Sequence, residues 1–247
     1  GIFFGSWYSL PMVARVFGRT NDDELRRSIA EIRHLERMLH NEGVLVLKFW
    51  LHVTEREQKK RLRRLKKDPD TRWRVTKAHE LLASRYDETV AVAETVIRDT
   101  STGEAPWIVV DGFDHRHRTL TVGKILLEAM RSRLGRQAKS ELVTAAPVIA
   151  QTDNVKLLRD LDLTQRLAKE AYRDELEKLQ QRFGRAVRSK KFRRRSLVLA
   201  FEGSDAAGKG GAIRRVTGAL DARLYRVIPV AAPTEEERHD PPIDDRC

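Results

Sequence analysis

The chain has 247 residues, 40% of them hydrophobic, and 48 Lys and Arg against 36 Asp and Glu give a formal net charge of +12. That allows a packed core in one large or two medium domains, and the cationic surplus points to a polyanionic partner or a solvated basic surface. Apolar runs such as Val44 to Val53 are too short and charged to span a bilayer, no secretory signal opens the chain, and the sole cysteine, Cys247, excludes a disulfide framework, so a soluble chain in a reducing cytoplasm with no membrane partner is expected.

After the apolar Ile2, Phe3 and Phe4, the pattern predicts a helix with Asn21 as N-cap and Asp22, Asp23 and Glu24 in its first turn. Its apolar face is Leu25, Ile29, Ile32, Leu35 and Leu39, and Gly43 ends it. Val44 to Val53 reads as a strand, Glu55 to Lys67 as a very basic helix, and Asp68 to Asp70 as a break. One long helix follows from Lys77 to Arg98, then a strand from Trp107 to Val110 and a helix from about Arg118 to Leu134. Such alternation argues for a parallel sheet covered on both faces. Periodicity fades after Gly135, which places a linker at 135–154 between a first unit, 1–134, and a second, 155–247. The second unit opens with an amphipathic helix from about Gln165 to Val187, and Leu224 to Val230 reads as its later strand. Pro233 to Cys247 holds six acidic residues and three prolines and cannot complete a sheet, so this unit reads as truncated.

Charge and aromatic residues suggest several sites of unequal weight. Glu55 to Lys77 holds eleven basic residues and four acidic ones, and Gln181 to Arg195 holds eight basic and no acidic ones. Trp50, Trp73 and Trp107 interleave with basic residues as stacking platforms do, but Trp50 and Trp107 lie in apolar strands and are assigned to the core. His115 and His117, beside Asp111 and Asp114, match no zinc spacing and read as surface polar residues.

The sharpest chemical signal lies between Ser196 and Arg215. The apolar run Leu197 to Phe201 meets a Gly-x-x-x-x-Gly-Lys loop, Gly203 to Lys209, followed by Gly210, Gly211 and a helix-compatible stretch. In such a loop the backbone N–H groups turn inward around a phosphate, the following helix N-terminus favours anionic charge, and Lys209 reaches the outer phosphates. The plain alternative is a glycine-rich strand-to-helix turn. Gly210 stands where a Ser or Thr hydroxyl would hold Mg²⁺, which leaves Asp205 as a metal ligand or, equally, as an Asx-turn or helix-start residue.

The segments Tyr172 to Gln180, Phe201 to Gly211, Leu220 to Arg223 and Ala232 to Glu236 resemble, in that order, the opening half of a polyphosphate kinase 2 family domain. Ser6 to Tyr8, Leu47 to His52, Arg61 to Arg64 with Asp68 and Pro69, Trp73, and Ala105 to Trp107 resemble the closing half. The resemblance implies an α/β, P-loop kinase-like parallel sheet with helices on both faces and a helical lid, here as two incomplete tandem domains. It further implies transfer of a terminal phosphate from inorganic polyphosphate to AMP, giving ADP, with Mg²⁺ as cofactor. Asp205 and Lys209 would be catalytic, with Asp205 on the metal; Gly203, Ala206, Ala207, Gly208, Lys209, Gly210, Gly211, Arg214 and Arg223 would hold phosphates. A lid of Arg61, Arg63, Arg64, Lys66 and Lys67 would cover the polyphosphate; each taken singly reads rather as a solvated helix face, and as a cluster they favour function.

The chain departs from the family at two places. Where the family has Asp-Arg before Ser-Trp-Tyr, this chain has Phe4 and Gly5, so the first unit reads as degenerate and supportive. The matching Asp of the second unit would lie beyond Cys247, and His239 to Cys247 lack the family's aromatic-rich continuation, so an incomplete active site is expected. The competing readings are an ATP-dependent nucleotide kinase or NTPase with the same loop, a nucleic-acid-binding module using Gln181 to Arg195, which is the disfavoured partner class, and a scaffold for a homo-oligomer.

Overall fold

The computed structural model describes residues 1–135, 157–192 and 195–230; the expected linker and the acidic tail after Val230, including Ala232 to Glu236, lie outside the described residues. Three residues, Ile2–Phe4, form the first strand, β1, and the Ser6 turn after it feeds helix α1 (Ser9–Val16). Asn21 caps α2 (Asp22–Asn41) as the sequence predicts: its side chain accepts from the Glu24 amide while Glu24 accepts from the Asn21 amide, a reciprocal capping box. Strand β2 (Leu45–His52) is buried from Val46 onward. An unbroken apolar run of this kind marks a strand covered on both faces.

Strands β3 (Trp107–Asp111), β4 (Leu197–Gly203) and β5 (Val227–Pro229) complete a five-stranded sheet in the order β3–β2–β4–β1–β5, with every pairing parallel. Strands from both sequence units therefore share one sheet. β4 sits at its centre, with Leu197 to Gly203 in register with Leu45 to Leu51 on one side and Leu199 to Phe201 with Ile2 to Phe4 on the other.

Side chains alternate across the strands and divide the core in two. Phe49, Leu51 and Phe201 face α6 (His115–Gly135), α7 (Lys169–Arg188) and α8 (Lys209–Thr217), and Phe49 and Phe201 stack with ring centroids 5.1 Å apart. On the opposite face Trp50 and Trp107 pack with Tyr8, Leu25, Val90 and Ile97 from α1, α2 and α5 (Tyr86–Thr100). Both tryptophans are core residues, as the sequence suggests.

The basic helix α3 spans Glu55–Lys67, matching the reading, and Thr54 caps it by accepting from the Glu57 amide. The single helix expected from Lys77 to Arg98 is two, α4 (Lys77–Ser84) and α5, joined at Arg85. Arg85 donates to the Val16 carbonyl, which pins the joint to α1, so α4 can follow α3 while α5 packs on the sheet. Helix α6 starts three residues earlier than read, because the Asp114 carboxylate accepts from the Arg116 and His117 amides and nucleates an extra turn. The expected strand from Leu224 is shortened because Asp221 caps a 3-10 turn over Ala222–Leu224.

One buried network ties four elements together. Lys48 on β2, fully buried, donates to Glu36 at 2.8 Å, to the Tyr8 hydroxyl at 3.0 Å and to the Thr100 carbonyl at 2.8 Å, while Tyr8 donates to Glu36 at 2.6 Å. Desolvation lowers the Lys48 pKa to about 8, opposed by the Glu36 charge. Removing one partner strands the other's charge in the core. Lys48→Met is expected to lose about 3–5 kcal/mol in urea unfolding, with much of the loss regained when Glu36→Leu is added; a single variant as stable as the parent would refute this account.

Candidate active site

The carboxyl end of β4 delivers the glycine-rich loop, and the backbone there can be built only from particular residues. Gly203 has φ +134°, and a Cβ on it would lie 2.1 Å from the Leu51 carbonyl oxygen. Gly208 has φ +100°, and a Cβ there would meet the Arg118 guanidinium carbon at 2.2 Å. Ala206 also adopts a left-handed φ of 61°. The glycines the sequence singles out at 203 and 208 therefore serve both chirality and close approach. Helix α8 begins at Lys209 and presents its amino end to the loop.

Lys209 donates to the carbonyls of Gly203 at 2.6 Å and Ser204 at 3.3 Å, and its ammonium lies 5.9 Å from the centre of the Phe4 ring. β1 is the strand beside the loop, so Phe4 and Gly5 occupy the flank where the resemblance expects Asp-Arg. Glu202 is 4% exposed just before the loop, and its carboxylate accepts from Ser6 at 2.7 Å and Ser9 at 2.8 Å. Burial pushes the Glu202 carboxyl up, against the opposing hydrogen bonds and the Lys209 charge.

Two guanidinium groups hold the loop from behind. Arg61 of α3 donates to the carbonyls of Ala206 at 3.0 Å, Gly112 at 3.0 Å and Phe113 at 2.7 Å, and it pairs with Glu57. Arg118 of α6 is buried and donates to Ala207 at 2.8 Å and Gly112 at 2.7 Å. Desolvation, with Arg61 and Arg215 nearby, holds Arg118 down to about 10. Two cations behind a phosphate loop add positive potential where anions bind. Arg118 was missed as a site residue because α6 carries four arginines, Arg116, Arg118, Arg131 and Arg133, and no motif singles one of them out.

The remaining sequence candidates divide. Gly210, Gly211 and Arg214 lie in the first turns of α8, with Arg214 exposed. Arg63, Arg64 and Lys67 are exposed on α3, and Lys66 pairs with Glu80. Arg223 is not brought to the loop: it precedes the amino end of β5 and is paired with Asp221. The basic end of α7 leads into the amino end of β4, also away from the loop.

Asp205 sits with Oδ1 3.7 Å from His79 Nε2 of α4, while its Oδ2 is buried with no hydrogen-bond partner. The His79 ring is oriented by its Nδ1, which accepts from the Thr76 amide at 3.0 Å. A hard divalent cation suits an oxygen ligand of this kind, completed by phosphates and water. Among the described residues no group of three or more His, Cys, Asp or Glu gathers as a metal site, so one carboxylate is what the loop itself offers.

A parallel sheet with a glycine-rich loop at the carboxyl end of a central strand and a helix running from it defines a phosphate-binding α/β protein of the P-loop kind. The family pattern of polyphosphate kinase 2 covers residues 1–138 and 166–242, and the chain belongs to that family. It is 48% identical over 242 residues to a polyphosphate:AMP phosphotransferase of Pseudomonas aeruginosa, covering 98% of this chain and 49% of that protein. A polyphosphate:AMP phosphotransferase of Pseudomonas syringae pv. tomato is 44% identical, with the same coverage of 98% and 49%. A solved structure described as a polyphosphate kinase 2 from Pseudomonas aeruginosa PA01 is 46% identical, with 98% of this chain and 44% of that one covered and a TM-score of 0.42. The chain spans about half the length of the curated relatives it matches. No described helix is long and apolar enough to cross a membrane.

Gly208→Ala is expected to destabilise the chain by about 2 kcal/mol or more, from left-handed strain and the Arg118 clash together. Adding Arg118→Ala relieves the clash and leaves the strain, so chemical denaturation of the double variant separates the two. At the end of β2, burial lowers the His52 pKa to about 4, and its Nδ1 has no partner. The unfolded chain therefore binds this proton at a higher pH than the folded one, and stability contributed by neutral His52 falls from about pH 6.5 toward pH 4, by up to about 1.4 kcal/mol per pH unit. His52→Phe should flatten that part of the profile of unfolding midpoints; an unchanged slope would contradict it.

Proposed function

We propose that this site belongs to a polyphosphate-dependent phosphotransferase, which moves the terminal phosphate of inorganic polyphosphate to AMP and yields ADP and a chain one phosphate shorter. The observation that carries this reading is the complete loop Gly203 to Lys209 at the amino end of α8, held from behind by Arg61 of α3. The activity named for the two similar Pseudomonas proteins supports it. In the reaction an oxygen of the AMP phosphate attacks the terminal phosphorus, the anhydride bond breaks, and its electrons pass to the leaving polyphosphate oxygen.

Such transfer needs little covalent help, because the task is to align three groups and stabilise charge on the moving one. The loop amides and Lys209 would hold the phosphates, with Lys209 leaving the Gly203 and Ser204 carbonyls for them. Asp205 would hold Mg²⁺, which when bound supplies charge neutralisation between donor and acceptor phosphates. The exposed Arg63, Arg64 and Lys67 form a basic strip along α3 for a longer polyanion. Phe4 brings no carboxylate to the flank of the loop, so we assign turnover to a chain of the relatives' full length and phosphate binding to the present one.

The test is conversion of AMP to ADP with polyphosphate and Mg²⁺, on this chain and on one extended to the relatives' length, each with Lys209→Ala. Activity only in the extended form, reduced about a hundredfold or more by Lys209→Ala, is the expected result. Label moving from ATP and not from polyphosphate would instead support a nucleotide kinase or NTPase.

A further inference from the structure

Helix α3 has two opposite faces. On one, Gln58 and Leu62 are buried, and Arg61 donates to the carbonyls of Gly112, Phe113 and Ala206. At about 100° per residue, Arg56, Lys60, Arg63 and Lys67 fall together on the other face, pointing away from the phosphate loop. All four are exposed. The carboxylates of the helix, Glu55 and Glu57, are held by Lys59, Lys60 and Arg61, and Arg56, Arg63 and Lys67 pair with none among the described residues. By itself such a strip is a solvated helix face.

The turn that follows it carries a second feature. The Thr71 hydroxyl donates to the Leu65 carbonyl at 3.0 Å and the Arg72 amide to the Asp68 carbonyl at 2.9 Å, which ties the 3-10 turn Arg72–Arg74 to the end of α3. At its centre Trp73 is 72% exposed, more than any other large hydrophobic side chain among the described residues. The ring is nevertheless fixed. Its Nε1 donates to the Asp70 carbonyl at 2.9 Å, and the Arg74 guanidinium lies 5.2 Å from its centre. An indole held in water with its donor already satisfied contributes no burial to the fold, and what it offers a ligand is a rigid aromatic face.

We propose that α3 and the turn after it bind single-stranded nucleic acid, the phosphates running along Arg56, Lys60, Arg63 and Lys67 and a base stacking on Trp73. Cations three and four residues apart are separated by about 4.5 and 6 Å along a helix. Nucleic acid places a sugar between its phosphates and spaces its charges on that scale, whereas in polyphosphate a single oxygen bridges neighbouring phosphates. Charge lets the strip take either polyanion; Trp73 favours the one that carries rings, and in single strands their faces are open. A membrane surface is disfavoured, because Trp73 is the one large apolar side chain that the exposed side of α3 and the turn presents for insertion. The other basic run, Gln181 to Arg195, offers no platform: Phe183 is buried and Phe192 packs on the core. This binding goes beyond phosphotransfer at the loop and does not depend on it.

The experiment is fluorescence anisotropy of a labelled oligouridylate of about twelve nucleotides, titrated with the 247-residue chain over a range of salt concentrations. It is repeated on Trp73→Ala and on the double variant Arg63→Gln with Lys67→Gln, with duplex RNA and long-chain polyphosphate as competitors. Sedimentation with phosphatidylserine–phosphatidylcholine vesicles runs in parallel. All three substituted side chains are exposed, thermal midpoints check that each variant folds, and either variant decides the matter if the other does not fold. The parent is expected to bind with a slope of about −3 in log affinity against log salt, as four phosphate contacts give. The double variant should make that slope shallower by about one. Trp73→Ala should weaken the RNA by about tenfold with the slope kept, and leave polyphosphate affinity as it was. The proposal fails if oligouridylate does not bind at low salt, if duplex competes as well as single strand, or if Trp73→Ala keeps the parent's RNA affinity. It fails equally if that variant loses polyphosphate as much as RNA, which would make Trp73 part of a polyphosphate track, or if vesicles bind and RNA does not. RNA binding of the expected kind in a chain that transfers no phosphate would sustain this inference and leave the phosphotransfer reading to fail alone.

Discussion

A parallel strand cannot satisfy its backbone with its neighbours in sequence, and this constraint governs the whole molecule. Strand β4 needs hydrogen-bonding partners on both edges before its end can present a phosphate loop. It finds them in β2 and β1, whose residues lie some 150 and 200 positions away along the chain. The loop therefore exists in its folded shape only when segments far apart in sequence have closed into one sheet. Glu202 seals that closure at the mouth of the site, where its buried carboxylate accepts from Ser6 and Ser9 of the opposite segment. A buried carboxylate that lost those donors would be strongly unfavourable.

The same logic recurs around the loop. Arg61 and Arg118 bring together α3, the β3–α6 turn and the loop through backbone carbonyls, and Arg61 also pairs with the Glu57 carboxylate. Arg118 makes its hydrogen bonds to carbonyls alone, so its charge adds to the positive potential beside the loop, while that of Arg61 is offset by Glu57. On the far face of the sheet Lys48, Glu36 and Tyr8 do the opposite, neutralising one another inside the core and fixing how α1 and α2 lie against β2. Buried polar groups serve binding in the first case and specific packing in the second.

The site joins features of different origin. An intact loop with Asp205 and Lys209 stands beside a strand that ends in Phe4 and Gly5, with Lys209 over the Phe4 ring. The two units that the sequence reads as halves of different domains meet across this boundary. Phosphate binding needs only the loop, the helix end and the cations behind them, whereas charge transfer between phosphates also depends on what flanks them.

Sequence by itself determined the local elements and the loop. Glycine spacing between Phe201 and Lys209, the capping box of Asn21 and Glu24, the unbroken apolar run of β2 and the basic amphipathic period of α3 are written within a few residues of one another, so they can be read without a fold. The family resemblance rested on the same short-range strings. The break at Arg85 was decided by a contact with Val16, 69 positions away, and no local propensity announces it. Tertiary structure alone decided that β4 lies between β2 and β1, that Arg118 supports the loop and that Arg223 stays at the other end of the sheet. Those facts depend on the pairing of distant strands and the packing of distant side chains, which the spacing of residues along a chain does not encode in any form that can be read locally.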